Sequence, residues 1–218
     1  MASDGVRLFA GVRVSMATVV ALTEARQKLA TAAEAAGVQV RWVAPATYHI
    51  TLEFLGWTRP ETIEPLRDRI GRALAGRRRF RIRTAGGGAF PSPERARVVW
   101  AGIEDRSEGL TRLAQLVQTE AVRLGFPAEK RAFHPHVTLG RTKEFADLST
   151  VLVALAEQNF SETSVESVIL FESKMKSYGS EYIERAVWPL QATSKGSKRQ
   201  TSSLEPALTD DQTRSGED

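Results

Sequence analysis

One pattern occurs twice in this chain, as His49-Ile50-Thr51-Leu52 and as His136-Val137-Thr138-Leu139. The chain holds three histidines; two open these stretches, and the third, His134, stands two residues before the second. Successive side chains of a strand point to opposite faces, so each stretch sets an imidazole and a hydroxyl on one face and two aliphatic anchors on the other. The pattern therefore asks for two half-buried strands with polar faces free to meet. Facing each other across a cleft, they supply two proton-transfer groups and two hydroxyl donors around a single substrate atom. A phosphate fits such a site.

Composition removes several other classes of protein. The 218 residues contain no cysteine, which excludes a disulfide framework and a thiolate metal site. Hydrophobic residues make up 42% and charged residues 26%, an ordinary balance for a globular chain with a substantial core. No run approaches the ~18 apolar residues of a membrane span, and Met1–Gly5 shows no basic segment leading into an apolar one. The expectation is a cytoplasmic protein with no membrane association and no obligate protein partner. Beyond Leu190 lie four basic and five acidic residues, so the body carries +5 of charge while the whole chain carries +4. Arginine dominates those positives, and its planar fork suits phosphate.

Taken in order, the chain alternates strand and helix. Leu8–Val14 reads as a buried strand, and Ser15 caps an Ala-rich helix over Met16–Ala36 that stops at Gly37. Val38–Val43 is a short strand, and Tyr48–Leu55 carries the first motif up to Gly56. Pro60 opens a helix over Glu61–Ala75. Phe80–Thr84 is a strand, with a tight turn or a bulge at the glycines 86–88, and Arg97–Ile103 is another. A helix over Ser107–Leu124 precedes the second motif strand, Pro135–Arg141. The spacing predicts a helix over Phe145–Gln158, then strands over Val165–Glu172 and Tyr182–Trp188. This is an α+β order, two ferredoxin-like βαββαβ-type halves around a central cleft, with one motif in each half. The expected domain spans residues 1–190. Residues 191–218 are rich in Ser, Thr, Lys and Asp and read as a disordered polar tail.

Two histidines suit phosphoryl transfer. Attack on phosphorus needs a base for the incoming nucleophile and an acid for the departing oxygen, and a neutral and a protonated imidazole coexist near neutrality. Thr51 and Thr138 then donate to the non-bridging oxygens, and no metal or cofactor is needed. Arg141, three residues beyond Thr138, is a further candidate for the phosphate, while Tyr48, Trp42 and Phe90 are candidates to stack on a base. Other readings stay open. His49, His134 and His136 form a candidate zinc set, though no carboxylate stands at suggestive spacing near either motif. A non-catalytic RNA-binding module and an enzyme acting on a small cyclic nucleotide or a 2′-5′ oligonucleotide are the remaining alternatives.

The paired motifs resemble those of the 2H phosphoesterase superfamily. The surroundings resemble its bacterial and archaeal RNA 2′,3′-cyclic phosphodiesterase branch, the 2′-5′ RNA ligase family. The segments that carry the resemblance are Arg41-Trp42-Val43, residues 48–56, Gly88-Ala89-Phe90-Pro91, residues 133–141 and Leu170-Phe171-Glu172-Ser173. The resemblance covers roughly Arg7 to Leu190. It implies a partner, RNA ends bearing a 2′,3′-cyclic phosphate, and their hydrolysis to 2′-phosphomonoesters, with reverse 2′-5′ ligation as a minor activity. It also implies roles: His49 protonates the departing oxygen, His136 activates water, and Thr51 and Thr138 hold the phosphate.

Overall fold

The computed structural model describes residues 5–177 and 179–192. Among them, nine strands and four α-helices follow in the order β1 (Val6–Arg13), α1 (Met16–Ala35), β2 (Val40–Trp42), β3 (His49–Thr58), α2 (Pro60–Leu74), β4 (Phe80–Phe90), β5 (Ala96–Glu104), α3 (Gly109–Val122), β6 (His136–Ala146), α4 (Ser149–Leu152), β7 (Asn159–Val165), β8 (Ser167–Lys176) and β9 (Gly179–Pro189). The helices form where the apolar spacing asks for them. In α1 the Ser15 hydroxyl accepts from the Thr18 amide at 3.2 Å, and Thr18, Leu22, Ala25, Leu29 and Ala33 make the buried stripe. In α2 Pro60 occupies the first turn, and Leu66, Ile70 and Leu74 face inward.

All named strand pairs are antiparallel, in the order β7-β4-β5-β6-β3-β1-β8-β9, with β2 also on β6. The join between β3 and β6 is a single residue pair, Ile50 with Val137. That seam divides the sheet into two lobes. The first holds β3, β1, β8 and β9; the second holds β6, β5, β4, β7 and β2. Each motif strand lies at the inner edge of its lobe, so the seam brings the motifs side by side.

Lobe and sequence half do not coincide. Helix α1 leaves the first lobe and packs on β7 and β2 of the second, while α3 leaves the second lobe and packs on β3 and α2 of the first. The C-terminal strands β8 and β9 return to β1. The two-lobe α+β architecture read from the sequence is present, with its parts exchanged between halves.

Local expectations change at several points. Phe145–Gln158 is not one helix: Ala146 still pairs with Ala96 in the sheet, and only Ser149–Leu152 and a 3-10 turn at Val153–Leu155 are helical. Leu148, Val151, Leu152 and Leu155 are all buried, so the helical spacing was real but served a short plug. Asn159–Val165, too polar to stand out, is the edge strand β7. Of the two readings of the glycine run at 86–88 the structure has the bulge, a pairing irregularity between Thr84 and Gly87 within β4, whereas β3, expected to end at Gly56, continues through it at φ +70° to Thr58. Gln191 is held beside Arg78 through a bridge and main-chain bonds to Arg77 and Arg79, one residue past the expected boundary. The rest of the expected tail, from 193 on, lies outside the described residues.

Gly11 is needed behind the first motif. It pairs with Thr51, and a Cβ there would lie 2.7 Å from the Ile50 carbonyl oxygen and 3.6 Å from the His49 ring. Backbone cannot step aside as a flexible side chain can. Gly11→Ala is expected to lose ~1–3 kcal/mol of stability through overpacking; a thermal melt matching the parent protein would contradict that.

Candidate active site

Both motif strands carry a bulge at the same position. Along β1, Ala10 pairs with Glu53 and Gly11 with Thr51, so Leu52 is an extra residue on β3. Along β5, Val99 pairs with Gly140 and Trp100 with Thr138, so Leu139 is an extra residue on β6. A bulge shifts the alternation by one place. Leu52 and Glu53 are consecutively buried, as are Leu139 and Gly140. The next side chains, Phe54 and Arg141, therefore rejoin the face of the histidines. Strict alternation would have turned Arg141 away; the bulge returns it.

His49, Thr51, His136, Thr138 and Arg141 line one cleft of about 2030 Å³ between the lobes. Each imidazole is anchored through Nδ1. His49 Nδ1 lies 2.7 Å from the Thr47 carbonyl oxygen, and His136 Nδ1 lies 2.7 Å from the His134 carbonyl oxygen. A carbonyl only accepts, so Nδ1 carries the proton in both rings and Nε2 is the nitrogen offered for chemistry. The two Nε2 atoms differ. That of His49 lies 3.1 Å from the Thr51 hydroxyl, which donates to the neutral ring, whereas that of His136 has no hydrogen bond to the described residues. His134 thus orients its neighbour, through its main chain; its own exposed ring packs edge-on to Phe90 at 5.3 Å and tilted against Trp100 at 4.9 Å.

Burial lowers both basicities. The His49 pKa falls from 6.5 to about 4, chiefly by desolvation, with His136, Arg13 and Arg141 adding repulsion and the Thr47 carbonyl opposing. His136 is lowered as well, again mainly by desolvation, with His134 and Arg141 contributing. The free site therefore holds two neutral imidazoles at pH 7 in a positive field. It is built for an anion.

The sequence profile described as LigT like Phosphoesterase matches residues 18–100 and 103–182. The chain belongs to that family. The phosphoesterase is 38% identical over 165 residues to an Aeropyrum pernix protein named RNA 2′,3′-cyclic phosphodiesterase, an alignment covering 73% of this chain and 90% of the relative. An Archaeoglobus fulgidus protein of the same name is 34% identical over 157 residues, covering 71% and 87%. A crystal structure from Thermus thermophilus superposes with a TM-score of 0.70 at 31% identity, over 85% of this chain and 98% of that one. E. coli LigT complexed with 3′-AMP superposes at 0.64 with 25% identity, over 86% and 99%.

Around the phosphoesterase's two imidazoles stand residues that sequence reasoning missed. His49 sits in an aromatic box: Phe9 at 4.8 Å, Tyr182 edge-on at 5.1 Å and Phe171 at 6.1 Å between ring centroids. Phe9 and Phe171 are register partners on β1 and β8, far apart in sequence, so no local pattern places them beside His49. Opposite, His136 meets Phe90 at 5.1 Å and Trp100 at 6.4 Å. Of the proposed stacking residues, Phe90 and Trp42 line the cleft, while Tyr48 is 3% exposed and belongs to the core. Among the described residues no three His, Asp or Glu side chains converge as metal ligands, and no helix is long and apolar enough to cross a membrane.

Proposed function

We propose that this phosphoesterase opens the 2′,3′-cyclic phosphate at an RNA end to leave a 2′-phosphomonoester, His136 activating water and His49 protonating the 3′ oxygen. The observation that carries this division of labour is the asymmetry at Nε2. The His136 Nε2 lone pair is open to a water, as a base requires, whereas that of His49 is held by Thr51 until an anion arrives. When His49 takes a proton, its Nε2 becomes a donor, and the Thr51 hydroxyl is released to the phosphate. Thr138 and Arg141, on the opposite motif's face, hold the remaining non-bridging oxygens, with Arg141 adding charge. The names of the A. pernix and A. fulgidus relatives support this reaction class and an RNA substrate. Joining RNA by the reverse reaction, with a 5′-hydroxyl replacing water, uses the same groups and remains minor because water is abundant.

The test is an oligoribonucleotide ending in a 2′,3′-cyclic phosphate, incubated with the protein in EDTA and resolved by product isomer. A 2′-phosphate, formed as fast as without EDTA, is expected. A 3′-phosphate would reverse the assignment of the departing oxygen, and loss of turnover in EDTA would replace two-histidine catalysis with a metal-dependent reaction.

A further inference from the structure

One rim of the cleft carries positive charge that no described residue neutralises. Arg41, Arg141 and Val98 stand side by side across β2, β6 and β5, and Arg41, Arg97 and Arg141 all line the cleft. Along β6 the exposed Lys143 follows, then Phe145, which is 54% exposed and lies outside the cleft lining. Two guanidinium groups of the β5 end flank that ring, Arg95 at 4.8 Å and Arg97 at 5.3 Å from its centroid. Among the described residues, Arg41, Arg95, Arg97, Arg141 and Lys143 form no ion pair, and what they share is their place along this rim and about the Phe145 ring. Glu144 is the single acid between Arg141 and Ala146 and pairs with none of them, while Glu94 and Asp147 close the far end with negative charge.

We propose that this surface, from Arg141 over Arg97 and Lys143 to Phe145 and Arg95, binds the RNA strand upstream of its cyclic phosphate and makes the enzyme prefer oligonucleotide ends to free mononucleotides. The inference rests on the reaction proposed above and specifies its substrate. Unpaired cations around an exposed aromatic ring match what single-stranded RNA offers: regularly spaced phosphates and bases with apolar faces. Between the pairs Val98–Arg141 and Ala96–Ala146, β5 advances two residues while β6 advances five, so residues 142–145 bow away from β5 and carry the exposed Lys143 and Phe145 beyond the cleft rim. A strand whose last phosphate lies between the histidines has its preceding phosphates within reach of Arg97 and Lys143. A mononucleoside cyclic phosphate has nothing to place there.

The experiment compares a hexaribonucleotide ending in a 2′,3′-cyclic phosphate with adenosine 2′,3′-cyclic phosphate, for the parent protein and for Arg97→Ala/Lys143→Ala and Phe145→Ala. Each variant is expected to raise KM for the hexamer about ten-fold or more, with kcat and mononucleotide turnover retained. The charge variant, which removes two cations, is also expected to flatten the salt dependence of the hexamer's KM, by about 1.4 units of log–log slope. Mononucleotide turnover reports folding and the reaction itself. If the parent opens neither substrate, the reaction assignment fails. If it opens both, and the variants leave the hexamer-to-mononucleotide ratio and the salt slope unchanged, the track fails alone.

Discussion

His136→Ala is expected to cut turnover of a cyclic-phosphate-ended oligoribonucleotide by ~10²–10⁴-fold, and His49→Ala to fall in the same range. The loss is large because neither group has a substitute in reach. His136 offers the Nε2 free of any hydrogen bond to the described residues, and His134, the nearest other imidazole, is turned into the Phe90–Trp100 pair. In the proposed scheme His49 donates the proton, and truncating it also opens a void against Phe9 and Tyr182. His49→Asn keeps more of that volume and separates the two effects. A protein with the parent's melting curve and depressed turnover has lost chemistry, whereas near-normal turnover in either histidine variant refutes that residue's role. Removing both histidines is expected to cost little more than the worse single change, since groups acting in one step are not additive.

The second large effect is a movement of the His49 pKa. In the free protein it should titrate near 4, well under the usual 6.5, so it is neutral at pH 7 and cannot yet act as an acid. A phosphate anion ~4 Å from the ring at an effective dielectric of ~20 stabilises the imidazolium by about 4 kcal/mol, equivalent to about 3 pKa units. That returns His49 to the neutral range, where it can donate. Following the His49 ring by NMR, with and without inorganic phosphate, is expected to show this upward move. A midpoint indifferent to phosphate would remove the substrate-induced acid from the scheme. The same shift sets a stability trend. The unfolded chain binds a proton at His49 below pH 6.5 and the folded one only near 4, so stability is full above 6.5 and declines as pH falls through that window, by roughly 3 kcal/mol. Chemical denaturation at pH 7 and at pH 4.5 of the parent and of His49→Asn isolates it as the difference between the two proteins, because the Glu53 carboxyl, raised to about 7 by burial, titrates in the same window with the opposite sign.

The site was more legible in the sequence than the fold. The two motifs could be read locally because period-two alternation fixes what shares a face over four residues, and His49, Thr51, His136 and Thr138 indeed line one cleft. Arg141 was legible only as a nearby arginine. Its return to the histidine face depends on the bulge at Leu139, and a bulge is a fact about pairing with β5 rather than about β6 alone. The aromatic box of His49 draws on Phe9, Phe171 and Tyr182, brought together by long-range strand pairing. A serine cap on α1, an opening proline on α2 and an apolar stripe on each announced these helices. The plug at 149–155 carried the same stripe over too few residues, and β7 was hidden because an edge strand needs only one apolar face. Which lobe each helix covers left no trace in order or spacing.

That exchange of helices bears on how the molecule can be taken apart. Because each half of the polypeptide contributes a layer to both lobes, no cut between motifs releases an autonomous piece. A fragment ending before Ser167 would keep both histidines yet lack the two strands that back the first of them. Evolutionary trimming and laboratory splitting meet the same obstacle: the gap between the lobes is an outside surface, while the connectivity beneath it is a weave.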